Sequence, residues 1–395
     1  MTRFAPGRRK DYAGVAVAVP VTVPYQRYST ETAHWWIGRA LRMLVDGAGI
    51  RPKDIDGLTI SSFTLAPDTA IGLTQHYGLS PRWLDHVPMG GASGVLCLRK
   101  AARAVQAGDA DIVACVAGDT NHVDSFRKML SSFSRFAQDA VYPYGSGGPN
   151  ASFALIMREY MRSTGATRAD FGKLAVAQRT NALKNPQALM KKPLGLDEYL
   201  GARAIADPIH LFDCVMPCAG AEAFLVMGED IARSLGLASV RILGTIERHN
   251  AFAEDAMQTR GGWVVDIDEL YAMAGIKRGA VDFVQTYDDY PVISMMQLED
   301  LGVCAKGEVV EFVRSNSFTF DGTCPHNTSG GQLSVGQAGC AGGFIGLVEA
   351  IRQLTGRPVG GAVSNARVGL VSGFGMITYD RGLASCAALL GKSAS

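Results

Sequence analysis

One pattern occurs twice in this chain of 395 residues, and it restricts the possible folds more than any other feature. In the first copy, a glycine turn at 89–94 (MGGASG) precedes a helical stretch over 95–106 and an apolar strand over 111–118. In the second, a glycine-rich segment at 330–343 precedes a helical stretch over 344–354 and a glycine-ended strand over 368–376. The period is far too long for a solenoid, so the pattern predicts a duplicated α/β architecture.

Further alternation of strands and helices supports an α/β class. An apolar strand is predicted over 14–20, an amphipathic helix over 30–49 and another strand over 55–62. Apolar strands that alternate with helices favour a mainly parallel sheet. We predict an N-terminal half over 1–238, with a long insertion at about 120–219, and a C-terminal half over 239–395.

Composition excludes several functional classes. Apolar residues make up 47% of the chain and charged residues 19%, which is enough apolar surface for a large core. The net charge of +1 gives no reason to expect nucleic acid or an anionic membrane as a partner. The sequence has no apolar run of about 18 residues and no CxxC pair among its eight cysteines. We therefore expect a cytoplasmic protein with free thiols and no metal site.

Two glycine-rich segments carry groups suited to catalysis. The turn at 89–94 opens a helix, whose unpaired N–H groups suit an oxyanion or phosphate; tight packing is an equally good explanation. The segment 324–343 (CPHNTSGGQLSVGQAGCAGG) allows close approach of its backbone to a ligand. It holds His326 as a possible acid or base and Asn327 and Gln337 as possible oxyanion donors. A lone histidine is more often structural, so that alternative stays open.

Two other segments combine a structural and a functional reading. Polar residues in 285–302 (QTYDDYPVISMMQLEDLG) follow a strand, where side chains line ligand crevices. Asp289 also suits a helix N-cap before Pro291 in that segment. The segment 214–223 (CVMPCAGAEA) could be a mobile thiol loop, although buried cysteines are usually inert.

Together these segments resemble the thiolase superfamily, and most of all its sterol-carrier-protein-type members. The resemblance covers nearly the whole chain and rests on MGGASG, YGSGG…ASFALIMREYM, NALKNPQAL, ARAIADPIHLFDC, QLEDLG, HNTSGGQLSVGQAG and VSGFGM. It implies a thiolase fold, in which two similar α/β halves stack in a five-layered αβαβα arrangement. It also implies an acyl-CoA substrate, with coenzyme A as part of that substrate and no separate cofactor.

The residues that matter for thiolase chemistry are replaced. Gly91 occupies the position of the nucleophilic cysteine, and it has no side chain that could attack a thioester. The resemblance places Gln337 at the family's histidine, Val371 at about the second cysteine, and Tyr287 at the polar residue before the QLEDLG helix. A covalent thiolase mechanism is therefore not expected.

One branch of the superfamily lacks the cysteine and cleaves β-hydroxyacyl-CoA by a retro-aldol reaction. Tyr287 matches one of the tyrosines attributed to that branch, whereas the other falls at Gln337. The resemblance therefore implies aldol-type cleavage of a carbon–carbon bond, with Tyr287, His326 or His122 as the base. We expect the acyl-CoA to contact four glycines of the conserved loops: Gly330, Gly331, Gly373 and Gly375.

Two other functions stay open at this point. A relocated cysteine, Cys340 or Cys218, could support a β-ketoacyl-CoA thiolase or acyltransferase, and a non-catalytic subunit would also lack the nucleophile. The resemblance further implies a homodimer and a small partner protein with a zinc ribbon and an OB fold, since the loop over 330–339 is similar to branches that have one. The CoA moiety is expected over the region between about Asn121 and Ala219.

Overall fold

Eleven strands are seen in the computed structural model, which describes residues 11–122, 143, 148–378 and 380–393. They are β1 Val15–Gln26, β2 Gly57–Ser61, β3 Trp83–His86, β4 Ile112–Asp119, β5 Ala204–Ala206, β6 Ile209–His210, β7 Ala219–Gly228, β8 Ser239–His249, β9 Phe283–Gln285, β10 Val368–Ile377 and β11 Gly382–Lys392.

The helices of the described residues alternate with these strands. They are α1 Ala33–Ala48, α2 Ala70–Tyr77, α3 Ser93–Ala107, α4 Pro149–Thr164, α5 Arg168–Ala182, α6 Leu196–Leu200, α7 Glu229–Ser234, α8 Trp263–Ala274, α9 Pro291–Asp300, α10 Val309–Ser315, α11 Gly331–Val335 and α12 Gly342–Leu354. Short 3-10 turns at Gly90–Ala92 and Gly339–Ala341 lead directly into α3 and α12, where the sequence predicts the two glycine turns.

Nine strands form one sheet in the order β3-β2-β4-β7-β1-β8-β11-β10-β9. The two ends of the sheet pair in the same way. At one end, β2 runs parallel to β4, β4 runs antiparallel to β7, and β7 runs antiparallel to β1. At the other end, β9 runs parallel to β10, β10 runs antiparallel to β11, and β11 runs antiparallel to β8. The duplicated α/β pattern predicted from the sequence is therefore present, while the division at residues 238 and 239 stays a prediction.

The prediction of a mainly parallel sheet is wrong, because most neighbouring strands of the large sheet run antiparallel. Strand β11 follows β10 after a turn of a few residues, which leaves no room for the crossover helix that a parallel pair requires. Strand β7 also adds antiparallel to β4, although α4, α5 and α6 lie between these two strands in the chain.

The layers follow from how the helices pack. Helix α1 covers β1, β4 and β7 from one side, and α8 covers β8 and β11 from the other. Helices α3 and α12 pack on each other between the two ends of the sheet, which are joined where Ala16–Ala18 of β1 pairs with Ser239–Arg241 of β8. A Cβ on Gly94 would lie within 3.0 Å of atoms of Gly343, so only glycine permits this helix contact. The fold is thus the mixed α/β arrangement expected of a thiolase.

The region 120–219 contains more regular structure than an insertion loop would. It holds α4, α5, α6 and the small two-stranded sheet of β5 and β6, while residues 123–142 and 144–147 of it lie outside the described part of the chain. The run 142–150 (YPYGSGGPN) has a loop-like sequence, and its residues 142 and 144–147 lie outside the described part of the chain as well. Within the described residues, no helix is long and apolar enough to span a membrane.

Candidate active site

A cavity of about 260 Å³ opens at the carboxyl ends of β4, β9 and β10. Much of its wall is apolar, with Phe63, Phe153, Phe374 and Met376 among the contributors. Among its described lining residues there is no lysine, arginine or histidine, and the only carboxylates are Asp119 and Asp289. The cavity therefore offers apolar contact and uncharged hydrogen-bond donors rather than a cation.

Gly91 and Tyr287 meet in the wall of this cavity. A Cβ built on Gly91 would lie 2.1 Å from Cε2 and Cζ of the Tyr287 ring and 2.3 Å from the carbonyl oxygen of Phe374. Real Cβ atoms do not approach other atoms that closely, so residue 91 must be glycine while Tyr287 and Phe374 stay in place. The space that a nucleophile at position 91 would need is occupied by the tyrosine ring.

Gly373 and Gly375 of β10 lie against the same turn that carries Gly91. A Cβ on Gly373 would lie 2.7 Å from the carbonyl oxygen of Gly91, and one on Gly375 would overlap the carbonyl oxygen of Met89. Their absence of side chains lets β10 lie directly against the turn Gly90–Ala92. Gly375 also lines the cavity, whereas Gly373 is not among its lining residues and Val371 is buried further back in β10.

Tyr287 is fixed at its backbone by a glutamine of the QLEDLG motif. Gln297 in α9 donates from Nε2 to the carbonyl oxygen of Tyr287 at 2.7 Å and accepts from its N–H at 3.3 Å. Ser372 in β10 donates to Oε1 of the same glutamine at 2.6 Å. Because α9 and β10 both hold this amide, the tyrosine has a defined position at the end of β9.

Three polar side chains form a hydrogen-bonded triad, defined here as Tyr287, Asp289 and Gln337. The Gln337 Nε2 donates to Asp289 Oδ1 at 2.5 Å and to the Tyr287 hydroxyl oxygen at 3.2 Å. The Tyr287 hydroxyl also forms a hydrogen bond with the Asp289 carboxylate. The backbone of Gln337 is held in turn by Met216 and Cys218, at 2.9 and 3.0 Å. All three side chains line the cavity.

Burial shifts the acidity of two members of the triad. Removal from water raises the pKa of Tyr287 well above its ordinary value, and the neighbouring Asp289 carboxylate raises it further. Burial also raises the pKa of Asp289, to about 7, because the hydrogen bond from Tyr287 offsets only part of the desolvation and Asp288 adds repulsion. Near neutral pH, Tyr287 is therefore a phenol that donates, and Asp289 can take up or release a proton.

Asp119 ties together the loops of both halves beside the cavity. Its Oδ1 accepts from Ser62 Oγ at 2.8 Å and from the N–H groups of Phe63 and Thr64 at 2.8 and 2.7 Å. Its Oδ2 accepts from the N–H of Cys340 at 2.7 Å. The acceptor positions of this carboxylate are thus taken by the protein itself, which marks Asp119 as a structural member of the wall.

The expectation that His326 acts as the base does not fit its position. Its side chain is fully buried outside the cavity wall, where Nε2 bonds to the Thr286 hydroxyl at 2.7 Å and the ring packs edge-on against Phe318. Burial lowers its pKa to about 3, so it stays neutral. Asn327, at a backbone φ of 42°, is likewise buried outside the cavity wall, and we no longer assign it as an oxyanion donor.

Gly330 and Gly331 also lie away from the cavity wall, and protein atoms explain them. Gly330 has a φ of 111° and approaches Ala182 of α5, while a Cβ on Gly331 would overlap Oδ2 of Asp288. The Asp288 carboxylate accepts from the N–H groups of Gln332 and Leu333, at 3.0 and 3.2 Å. These glycines therefore let the start of α11 contact Asp288, and their contact with the acyl-CoA stays a prediction.

The remaining candidates differ in their access to the cavity. His122 is exposed just after β4 and is not part of the cavity wall. Cys340 is fully buried outside the wall, and burial raises the pKa of its thiol well above the ordinary value. Cys218 does line the cavity, but burial and then Glu222 raise the pKa of its thiol in the same way. Neither cysteine is a ready thiolate nucleophile.

Asp289 is a wall residue for which the sequence also predicted a helix-capping role. Helix α9 begins at Pro291 as predicted, but its N-cap residue is Tyr290 and not Asp289. The Asp289 carboxylate consequently points to Gln337 and Tyr287. The signal that pointed to it was its place after a strand, at the carboxyl edge of the sheet. Among the described residues, no group of His, Cys, Asp and Glu side chains could hold a metal ion.

Comparisons with known proteins agree with the fold. A family model described as thiolase C-terminal domain-like matches residues 244–385. Over 352 residues, the chain is 31% identical to 17-hydroxy-3-oxo-4-pregnene-20-carboxyl-CoA lyase of Mycobacterium tuberculosis, which covers 84% of this chain and 89% of that protein. It is 30% identical over 348 residues to a steroid side-chain-cleaving aldolase of Thermomonospora curvata, covering 83% and 88%.

A solved structure described as the Ltp2-ChsH2(DUF35) aldolase superposes with a TM-score of 0.82 at 26% identity, covering 96% of this chain and 98% of that one. Lyase and aldolase activities thus occur in relatives that match along most of their length. The chain is an enzyme that belongs to the thiolase superfamily.

Proposed function

We propose that this enzyme cleaves a carbon–carbon bond of a β-hydroxyacyl-CoA by a retro-aldol reaction, without an acyl-enzyme. The observation that carries the proposal is the contact between Gly91 and Tyr287, which leaves no space for a nucleophile at position 91. The similarity to a carboxyl-CoA lyase and to a side-chain-cleaving aldolase supports the same reaction.

The cavity provides what such a reaction needs. Retro-aldol cleavage requires removal of the β-hydroxyl proton and stabilisation of the thioester enolate that receives the electron pair of the broken bond. The Tyr287 hydroxyl lies on the cavity wall, where it can take part in removal of the β-hydroxyl proton, and the backbone of the turn at Gly91 lies beside it as a source of N–H donors for the enolate. Donors fixed before the substrate binds need little reorganisation as charge develops.

The shape and chemistry of the wall favour a bulky apolar acyl group, of the kind carried by steroid side-chain CoA thioesters. Phe63, Phe153, Phe374 and Met376 contribute large apolar side chains to the wall. Asn121, Asn150 and Pro217 also line the cavity, which supports the expectation that the CoA moiety lies along the region 121–219. The relatives named above act on steroid side chains, in keeping with this acyl group.

A thiolase or acyltransferase with a relocated cysteine is less well supported. Cys340 is buried outside the cavity wall, and Cys218 has a thiol whose pKa is raised by burial. Thiolate attack needs the opposite shift, as occurs beside a cation or a histidinium ion. No such group is found among the described residues of the cavity wall.

We also propose that the enzyme works as a homodimer with a small DUF35-type partner of the zinc-ribbon and OB-fold kind. The name of the similar aldolase structure joins Ltp2 with ChsH2(DUF35), which supports the partner. Strand β3 is the last strand at one end of the sheet, and such an edge offers backbone groups for pairing with a second copy. Sedimentation of the enzyme alone should give twice the chain mass of 41.9 kDa, and addition of ChsH2(DUF35) should raise it.

The reaction can be tested with a substrate panel. The enzyme, alone and with ChsH2(DUF35), is incubated with β-hydroxyacyl-CoA and β-ketoacyl-CoA thioesters that carry short or steroid-like acyl groups. We expect a shortened acyl-CoA and a ketone or aldehyde from bulky β-hydroxyacyl-CoA substrates. Turnover of β-ketoacyl-CoA alone would support a thiolase, and turnover of neither class would overturn the proposal.

A further inference from the structure

We infer that Asp289 is the catalytic proton acceptor of this enzyme, and that it acts through the hydroxyl of Tyr287. The inference rests on the proposed retro-aldol function and adds the residue that holds the proton. Asp289 lies on the cavity wall, hydrogen-bonded to Tyr287 and to Gln337.

The other groups of the wall are poorly suited to accept the proton. The carboxylate of Asp119 already accepts several hydrogen bonds from the protein, including those of Ser62 and Cys340. Burial raises the pKa of the Cys214 thiol to about 12 and that of Cys218 well above its ordinary value, so both stay protonated. Of the described wall residues, Asp289 alone combines a basic form near neutral pH with acceptor positions facing the cavity.

Tyr287 is suited to pass the proton on rather than to keep it. Its pKa is raised well above the ordinary value by burial, so a tyrosinate does not persist at neutral pH. Its hydroxyl oxygen accepts from Gln337 Nε2 at 3.2 Å, and its O–H donates to Asp289. When the phenol gives its proton to Asp289, the same oxygen can accept the proton of the substrate β-hydroxyl.

The step balances without any additional reactant. The β-hydroxyl proton passes to the Tyr287 oxygen as the tyrosine proton passes to Asp289. The O–H electrons form the new carbonyl, the bond between the α and β carbons breaks, and its electron pair moves into the thioester enolate. The proton held by Asp289 then returns through Tyr287 to the α carbon. The products are a ketone or aldehyde and a shortened acyl-CoA, and Asp289 is again a carboxylate.

The charges around Asp289 define the expected pH dependence. Asp288 and Tyr287 precede it, Tyr290 follows it at the start of α9, and the other titratable wall residues are Asp119, Cys214 and Cys218. None of the described wall residues is a cation that would hold Asp289 ionised in acid. Burial raises the pKa of this carboxyl to about 7, so activity should fall as the pH drops below that value and Asp289 becomes protonated before substrate binds.

The test uses the full chain with Asp289→Asn, Asp289→Glu and the matched surface control Asp268→Asn. The Asp268 side chain is 91% exposed and pairs with Arg278, whose side chain is 49% exposed. We expect Asp289→Asn to lower kcat by about 10²–10⁴-fold, the usual range for general acid–base catalysis. Asp289→Glu should restore part of the rate with a shifted pH profile, and Asp268→Asn should match the unchanged enzyme.

A second readout is exchange of the α protons of a short acyl-CoA product in D₂O, followed by mass spectrometry. We expect exchange with the unchanged enzyme and with Asp268→Asn, and none with Asp289→Asn. Cleavage or exchange at the unchanged rate in folded Asp289→Asn would overturn the inference while leaving the proposed function intact. If the variant fails to fold, the cleavage rate of the unchanged enzyme is measured from about pH 5.5 to 8.5, a range that brackets a base active near neutral pH. A rate that does not change over this range would overturn the inference about Asp289. Absence of both cleavage and exchange in the unchanged enzyme would overturn both proposals.

Discussion

Substitution of Gly91 by alanine should damage both the stability and the activity of the enzyme. The added Cβ would lie 2.1 Å from the Tyr287 ring and 2.3 Å from the carbonyl oxygen of Phe374, about 1 Å short of the 3.4 Å at which ordinary contacts begin. The ring could turn aside, but the carbonyl belongs to β10, where Phe374 pairs with Ser385 of β11. Relief therefore requires a shift of the strand or of the glycine turn.

The size of the effect follows from these contacts. Overpacking of a close-packed interior typically costs about 1–3 kcal/mol of the free energy of unfolding. Any movement of the Tyr287 ring also breaks its hydrogen bonds to Asp289 and Gln337, so cleavage should be largely lost. For the same reason Gly91→Cys should not create a thiolase, although it restores the amino acid that thiolases have at this position.

The assay compares urea unfolding and the cleavage rate of Gly91→Ala with those of Gly72→Ala. Gly72 lies in α2, and a Cβ added there would have no atom within 4 Å. Its replacement should therefore leave activity unchanged. Removal of a helical glycine should even stabilise the fold by about 0.5–1 kcal/mol. Unchanged unfolding and unchanged cleavage in Gly91→Ala would refute the steric reasoning.

Three further outcomes are expected. Tyr287→Phe keeps the ring that fills the space beside Gly91 but loses the hydroxyl, so the protein should unfold like the unchanged enzyme while kcat drops by about 10²–10⁴-fold; a kcat within tenfold of the original would contradict this. Cys340→Ala should cleave at the unchanged rate, because the thiol lies outside the cavity wall; loss of activity in a folded variant would favour the relocated-cysteine alternative. His326 has a pKa lowered to about 3 in the folded chain, so the unfolded chain binds its proton more strongly below pH 6.5. The free energy of unfolding should therefore fall from pH 6.5 towards pH 4 more steeply in the unchanged enzyme than in His326→Asn, and equal slopes would count against a buried neutral histidine.

Local patterns in the sequence predicted the elements that carry the site. Helix α1, strand β4 and the two central helices occur where apolar periodicity and glycine turns place them. The strand directions were not predictable in the same way, because β11 follows β10 after a short turn and β7 pairs with β4 only across the long region 120–218, so no local pattern reveals either pairing. Nor does the sequence show that β1 joins both ends of the sheet through a short pairing with β8.

Only part of the site could be predicted from the sequence, because residue type does not reveal burial. His326 carries the side chain most often used as a base, yet it lies behind the cavity wall against Thr286 and Phe318. Asp289 has an ordinary helix-cap sequence context, and only the folded chain shows that Tyr290 takes the cap position. Gly91 was identified from a resemblance, but the reason it must be glycine is visible only where Tyr287 and Phe374 converge on it.

The most direct test of carbon–carbon cleavage without an acyl-enzyme is the dependence of product formation on free coenzyme A. A thiolase consumes one free CoA for each acyl group it releases, whereas a retro-aldol step leaves the original thioester intact. With a purified β-hydroxyacyl-CoA and no added CoA, we expect one shortened acyl-CoA for each ketone or aldehyde formed, and no gain in the intact mass of the protein during turnover. A strict requirement for free CoA, together with an acylated form of the chain, would contradict the account.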